Sequence, residues 1–312
     1  MSSIPLSEDN PFRPLIKETN DDPTQLQLRY ENHRVSRNKQ QSEKILAESF
    51  AGWTLDEILK RLDGPEREEG FVDPRNCLVI WARPPAPIRD LISWIQSELK
   101  DVAPCKWNHS IWLMPLPNLH TTVLEVAHSL TEQQIEELVQ TLQLSKGTTK
   151  EQIVEYAMLH QTRLLKPMVS FDSAALALSF VPSSGEGLGV SGGDNPERYT
   201  YHHLRRDIFD MVRQASIPVA SRYIVPSAHV TIARFINHDG FQVQGVDGKE
   251  DVDRTRVRLL IDKINEINQR LEVEYWPQAG GTIPKGGEWV VGQEQGLVIR
   301  RGRVWYGGGE YV

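Results

Sequence analysis

The sequence predicts an α+β protein, with a domain of alternating strands and helices over residues 71–312 behind an N-terminal arm and helical extension over residues 1–70. Three observations predict it. Between the polar arm and Gly64-Pro65 lie a run of helix formers and then, from Leu55 to Leu62, apolar residues at helical spacing. Beyond residue 71, short β-type runs alternate with helical stripes. Two of those runs, Leu119 to Leu124 and Ala228 to Ala233, carry the same order of His, any residue, Thr and an apolar residue.

Residues 1–22 are polar, with Pro5, Pro11 and Pro14 scattered through them, and read as an arm that is a candidate for disorder. Residues 24–48 are rich in helix formers. Thr54 is placed to cap a second helix whose Leu55, Ile58, Leu59 and Leu62 form an i, i+3, i+4, i+7 face, and Gly64-Pro65 ends it. Glu66 to Gly70 is a charged link.

Cys77 to Ala82 is a strand, stopped by Pro84-Pro85. Ile88, Leu91, Ile92, Ile95 and Leu99 then make one face of a helix. Trp112-Leu113-Met114 leads through Pro115 and Pro117 into the first His strand, and Ser129 or Thr131 starts a helix carrying Ile135, Leu138 and Leu142. Residues 150–165 read as helix and Ala174 to Val181 as strand. Asn195-Pro196 is a helix start, Asn as cap and Pro at the first position, for a helix to about Gln214. Tyr223 to Phe235 holds the second His strand, Val252 to Leu271 a helix, and Trp289 to Tyr306 a terminal hairpin turning near Arg301-Gly302.

A chain of 312 residues can bury a sizeable core. Its formal net charge of −7 argues against a non-specific nucleic-acid coat, though a local basic groove remains compatible with it. No apolar run approaches the ~20 residues of a membrane span. The opening MSSIPLSEDNPF lacks the basic and apolar regions of a secretory leader. The only cysteines, Cys77 and Cys105, show no metal-type spacing. Cytoplasm or nucleus is the expected location.

A lone His-x-[Ser/Thr] carries little information, since with nine histidines and ordinary Ser plus Thr content roughly one match is expected by chance. His160-Gln161-Thr162 is such a match, and it sits at the end of a helical pattern. The two strand-borne copies say more. Side chains alternate across a strand, so His120 and Thr122 share one face, as do His229 and Thr231. The opposite faces, with Leu119, Thr121 and Val123 or Ala228, Val230 and Ile232, suit a core. Laid side by side, the strands would converge two imidazoles and two hydroxyls on one groove.

This pair of motifs, in this order of elements over about residues 71–312, resembles the signature of the 2H phosphoesterase superfamily, which includes 2′-5′ RNA ligase-like proteins and cyclic phosphodiesterases. The resemblance implies a two-lobed fold, with duplicated antiparallel sheets around a central cleft and helices outside. It implies a phosphodiesterase that needs no metal or other cofactor and acts on cyclic or linear phosphodiesters of RNA 3′ ends or small nucleotides. DNA and membranes are not implied as partners. His120 and His229 would be general acid and base, and Thr122 and Thr231 would hold the phosphate. Histidine suits both proton transfers because it titrates near neutrality. A 3′-end exoribonuclease of the same chemistry and a non-catalytic binding module are the alternative readings. After the first motif many family members continue Phe-Leu-Gly, where this chain has Leu124-Glu125-Val126.

Arg234 extends the second motif to His-Val-Thr-Ile-Ala-Arg, but five residues after His229 an unbroken strand would point it to the opposite face, and only a bulge would reverse that. Arg222 and Tyr223 are near enough to line the groove. Tyr201, Tyr223, Trp81 and Trp305 are candidate stacking surfaces for bases, with packing the commoner role. Adjacent His202 and His203 would point about 100° apart on a helix, which argues against a shared metal. Gly187 to Gly192 matches G-x-G-x-x-G, but the helix start lies beyond its last glycine, so it reads as a loop and not as a dinucleotide site. Gly280 to Gly287 lacks the Gly-Lys-[Ser/Thr] ending of a phosphate-binding loop.

Overall fold

The structure, a computed structural model, describes residues 9–101, 110–187, 198–245, 250–279 and 281–312. Its centre is an antiparallel nine-stranded sheet. In chain order the strands are β1 (Asn76–Ala82), β2 (Ile111–Leu113), β3 (Thr121–Leu130), β4 (Thr162–Phe171), β5 (Ala175–Pro182), β6 (Ala228–Phe235), β9 (Glu288–Val291), β10 (Val298–Gly302) and β11 (Glu310–Tyr311). β7 (Gln242–Gln244) and β8 (Glu250–Val252) form a separate hairpin. Across the sheet the order is β11-β10-β1-β3-β6-β5-β4-β9, with β2 also on β6. The fold is therefore α+β, as the periodicity predicts. The two middle strands meet at one register pair, Thr121 opposite Val230. Each is paired much more extensively on its other side, β3 with β1 and β6 with β5.

The helices are α1 (Arg13–Glu18), α2 (Pro23–Leu46), α3 (Glu57–Leu62), α4 (Ala86–Asp101), α5 (Glu132–Gln143), α6 (Lys150–Leu159), α7 (Tyr201–Gln214) and α8 (Arg254–Tyr275). Ile88, Leu91, Ile92, Ile95 and Leu99 of α4 and Leu260, Ile261, Ile264 and Ile267 of α8 are all buried in the main core, as helical spacing demands. Thr131 and Thr149 each close a capping box, with Gln134 and Gln152. No helix among the described residues is long and apolar enough to cross a membrane.

Four expectations need correction. The arm is packed from residue 9 onward: Phe12 is fully buried, and buried Asn10 donates to the Asp210 carboxylate on α7. The cap of α3 is Asp56, which accepts from the Leu59 N–H, while Thr54 is hydrogen-bonded to Ser173. The helix over 150–165 stops at Leu159, and Thr162 to Phe171 is strand. Finally, β9 and β10 are not partners. β9 pairs with β4 at one end of the sheet, and β10 pairs with β1 at the other. The hairpin that does form joins β10 to β11. The G-x-G-x-x-G run, the Asn195-Pro196 start and Cys105 lie largely or wholly outside the described residues.

The helical extension belongs to the same core as the sheet. Phe12, Tyr30, Ile45, Phe50 and Trp53 pack into it. α2 is fastened across β4 and β5 by hydrogen bonds that long polar side chains make to strand carbonyls. Arg34 donates to Lys166 O and Ser179 O, Asn38 to Val169 O, and Gln27 to Pro182 O. These strand carbonyls thus have partners despite their burial.

Candidate active site

The Thr121–Val230 pair turns both threonine- and histidine-bearing faces the same way. Thr121 and Val230 are buried in the core, so their neighbours His120, Thr122, His229 and Thr231 emerge half-buried on the opposite face. On that face β5 contributes Ser179 opposite His229 and Ala177 opposite Thr231. The sequence-predicted quartet is thus brought together where the two halves of the sheet meet.

Each imidazole is fixed by the bond at its Nδ1. The His120 Nδ1 is 2.8 Å from the Asn118 carbonyl, which can only accept, so Nδ1 carries the proton and Nε2 keeps its lone pair when the ring is neutral. His120 is also stacked on Trp81 with ring centres 3.8 Å apart. The Asn118 turn is braced from behind, its side chain donating to Tyr306 O. Gly307 packs on it with φ +80°, and a Cβ there would overlap Asn118. The His229 Nδ1 lies 2.9 Å from the Ser227 hydroxyl, which can donate or accept. Burial pushes both imidazoles well below 6.5, His120 to about 3 and His229 to about 4. Nearby cations add to this, Arg83 and Arg234 at His120, Arg205 and Arg234 at His229.

Arg234 does reach the groove. The β5–β6 register slips between Leu176–Ala233 and Ala177–Thr231, leaving Ile232 as the extra residue of a bulge. Its carbonyl is taken by the Met114 N–H and the Gln96 amide. Ile232 and Ala233 are both buried, and Arg234 regains the face of His229 and Thr231. The Arg234 guanidinium is paired with Asp56 at 3.3 Å, and its Nε is buried without a hydrogen-bond partner. Asp56 also accepts from the Tyr306 hydroxyl at 2.7 Å.

The other candidates divide. Tyr223 lines the cavity, its ring 6.1 Å from His229. Arg222 points elsewhere, into a two-pronged pair with buried Glu125 and over the Trp305 ring. Tyr201 is fully buried, its hydroxyl donating to Thr122 O, so it braces the strand. Trp81 is 1% exposed and serves as the platform of His120, which leaves it no face for a base. His202 and His203 are buried on α7. His202 is held between the Tyr30 hydroxyl and Phe12 O, and His203 caps α7 through Thr200. Among the described residues no three His, Cys, Asp or Glu side chains are grouped to hold a metal ion.

Two contributors give no motif signal. Arg205, 1% exposed, donates to Val123 O of β3 and to Tyr223 O and Val225 O of the segment entering β6, tying the two motif strands together. The second is α2. Its His33, Arg34, Arg37 and Asn38 wall a cavity of about 330 Å³ that also holds His229, Thr231, Arg234 and Tyr223, over a floor of Ala175, Ala177, Ser170 and Ser179. In sequence these residues are an ordinary polar helix face.

No protein-family model and no curated protein matches the chain. Among solved structures it is similar to a conserved protein of unknown function from Agrobacterium tumefaciens, at 9% identity and a TM-score of 0.46, over 87% of this chain and 97% of that one.

Proposed function

We propose that this protein is a two-histidine phosphodiesterase of the 2H type, which hydrolyses cyclic or linear phosphodiesters of RNA ends or small nucleotides. The observation that carries the reading is the single β3–β6 register pair, which sets two His-x-Thr motifs side by side on one face of the sheet. The two halves of the sheet, β11-β10-β1-β3 and β6-β5-β4-β9, then correspond to the two lobes, and the face at their junction to the cleft.

The chemistry follows from the groups present. One imidazole, neutral, takes a proton from water as its oxygen attacks phosphorus. The other, protonated, gives its proton to the departing ribose oxygen as the P–O bond breaks. Thr122 and Thr231 hydroxyls donate to the non-bridging oxygens, and Arg234 offsets their charge. The Asn118 carbonyl keeps His120 in one tautomer with Nε2 available, whichever role it takes. Each proton-transfer group is worth about 10²–10⁴-fold in rate.

The test is turnover of 2′,3′-cyclic mononucleotides, and of a short RNA ending in a cyclic phosphate, in excess EDTA, for wild type, His120→Ala and His229→Ala. Turnover that resists EDTA and drops at least a hundredfold in both variants supports the reading, and the released isomer identifies the leaving oxygen. Activity surviving both substitutions overturns it. Absence of turnover with retained nucleotide binding favours a binding module instead.

A further inference from the structure

The wall that α2 builds beside His229 carries charge that nothing in the fold uses. Of its four cavity-lining side chains, Arg34 is spent on Glu31 and two strand carbonyls, and Asn38 on the backbone of β4. His33 and Arg37 have no hydrogen-bond or ion-pair partner among the described residues, and both line the cavity. They lie near each other and the site: burial and, after it, the Arg37 charge lower His33, and His33 is the smallest of the named contributors, behind burial, to the lowering of His229. The carboxylate lining the same cavity is Asp172, whose Oδ1 accepts from the Ala174 and Ala175 N–H groups. Arg234 is already paired with Asp56. The α2 side of the cavity therefore presents a guanidinium and an imidazole without ion-pair partners toward a space whose far wall is formed by His229, Thr231 and Arg234.

Building on the phosphodiesterase reading, we infer that His33 and Arg37 form a second anion subsite, which takes a further phosphate on the same nucleotide as the scissile one. The floor beneath is small and short-chained, with Ala175, Ala177, Ser170 and Ser179, so a ribose can lie between the two sites. A cavity of about 330 Å³ closed by a helix on this side accommodates one nucleotide unit and its two phosphates. The substrate class is then a nucleotide with a terminal phosphate besides its diester, in preference to an unphosphorylated cyclic nucleoside. Guanidinium suits this role because it offers a planar pair of donors to phosphate oxygens.

The experiment has a binding arm and a turnover arm. Calorimetry compares adenosine 3′-monophosphate with adenosine 3′,5′-bisphosphate on wild type, Arg37→Ala, Arg37→Lys and His33→Gln, with thermal melting as the folding control. Wild type is expected to bind the bisphosphate at least ~10-fold tighter. That ratio should collapse toward one in Arg37→Ala and recover in part in Arg37→Lys. In the turnover arm the same pattern should appear in kcat/KM for adenosine 2′,3′-cyclic phosphate with and without a 5′-phosphate. A wild-type ratio near one, or a ratio that Arg37→Ala leaves unchanged, overturns the subsite. If the binding ratio behaves as expected but no cyclic substrate turns over, the subsite stands and the hydrolase reading falls. If both cyclic substrates turn over equally and binding shows no preference, the subsite falls and the hydrolase reading stands.

Discussion

Substrate should change the proton affinity of the groove, and two pH profiles will show it. In the free protein burial holds His120 at about 3 and His229 at about 4. Both rings are therefore neutral at pH 7, and only about one His229 in a thousand carries a proton, since each pH unit above a pKa is tenfold. The acid role needs that proton. A phosphodiester seated within hydrogen-bond reach places one negative charge roughly 4 Å from the ring. At an effective dielectric constant near 20, this is worth about 4 kcal/mol, or about three pH units in favour of the imidazolium. In the complex, then, the imidazolium that the acid role needs is favoured far more than in the free protein, toward the pH range where acid catalysis is efficient.

The two steady-state parameters report different species. kcat/KM follows ionisations of the free protein, and kcat those of the complex. The basic limb of kcat/KM should begin at about pH 4–5, whereas that of kcat should begin about three units higher. The assay is initial-rate turnover of a 2′,3′-cyclic nucleotide from about pH 4 to 9 at constant ionic strength, restricted to the range where melting shows the protein folded. Coincident limbs would refute the argument, because the free groove would then not hold its imidazoles neutral.

Two further outcomes follow from named contacts. His202 is 1% exposed and is held at about 3 by burial, so the folded state binds fewer protons than the unfolded one between that value and 6.5. Its contribution to stability is complete above about pH 6.5 and is lost as pH falls. About 3 kcal/mol of it should go by pH 4, and a urea midpoint series on His202→Gln should show a flatter acid limb than wild type. Gly307→Ala should push Asn118 and with it the His120 ring, lowering kcat about tenfold or more while the melting temperature falls by only a few degrees. An unchanged kcat would mean that this turn does not position His120.

The sequence marks the two His-x-Thr runs better than their surroundings, and the reason is range. A His-x-Thr motif and the apolar stripes of α4 and α8 are local patterns, and period alone assigns their faces. β4 escapes the same logic because Arg163, Lys166 and Pro167 interrupt its apolar run directly after a helical stretch. The partners of β9 and β10 are set by strands more than a hundred residues away, β4 and β1, so adjacency in sequence misleads about the hairpin. The arm reads as disordered in sequence because its anchors, Asn10 and Phe12, are single residues in a polar stretch. Strict alternation places Arg234 on the face opposite His229, and the bulge brings it back. Alternation holds only while the register does, and a bulge between two apolar residues, Ile232 and Ala233, leaves no mark in the pattern.

That bulge, with α2, also shows how the work of the groove is divided. The strands supply His120, His229 and the two threonines, and on the β4–β5 side the cavity is lined mostly by alanines and serines, with Phe171 and Asp172 at the turn between them. The longer polar groups around it come from outside the strand alternation: Arg234 by a slip of register, and the Arg37 guanidinium and the His33 imidazole from a helix of the N-terminal extension. α2 can serve as a wall only because Arg34, Asn38 and Gln27 fix it to strand carbonyls, and removing that fastening would open the groove without touching a catalytic atom. Because Tyr30 and Ile45 of the same helix are buried in the main core, that fastening is best loosened singly, and Asn38→Ala, which frees one contact to Val169 O, should alter nucleotide binding in calorimetry while both motifs stay in place.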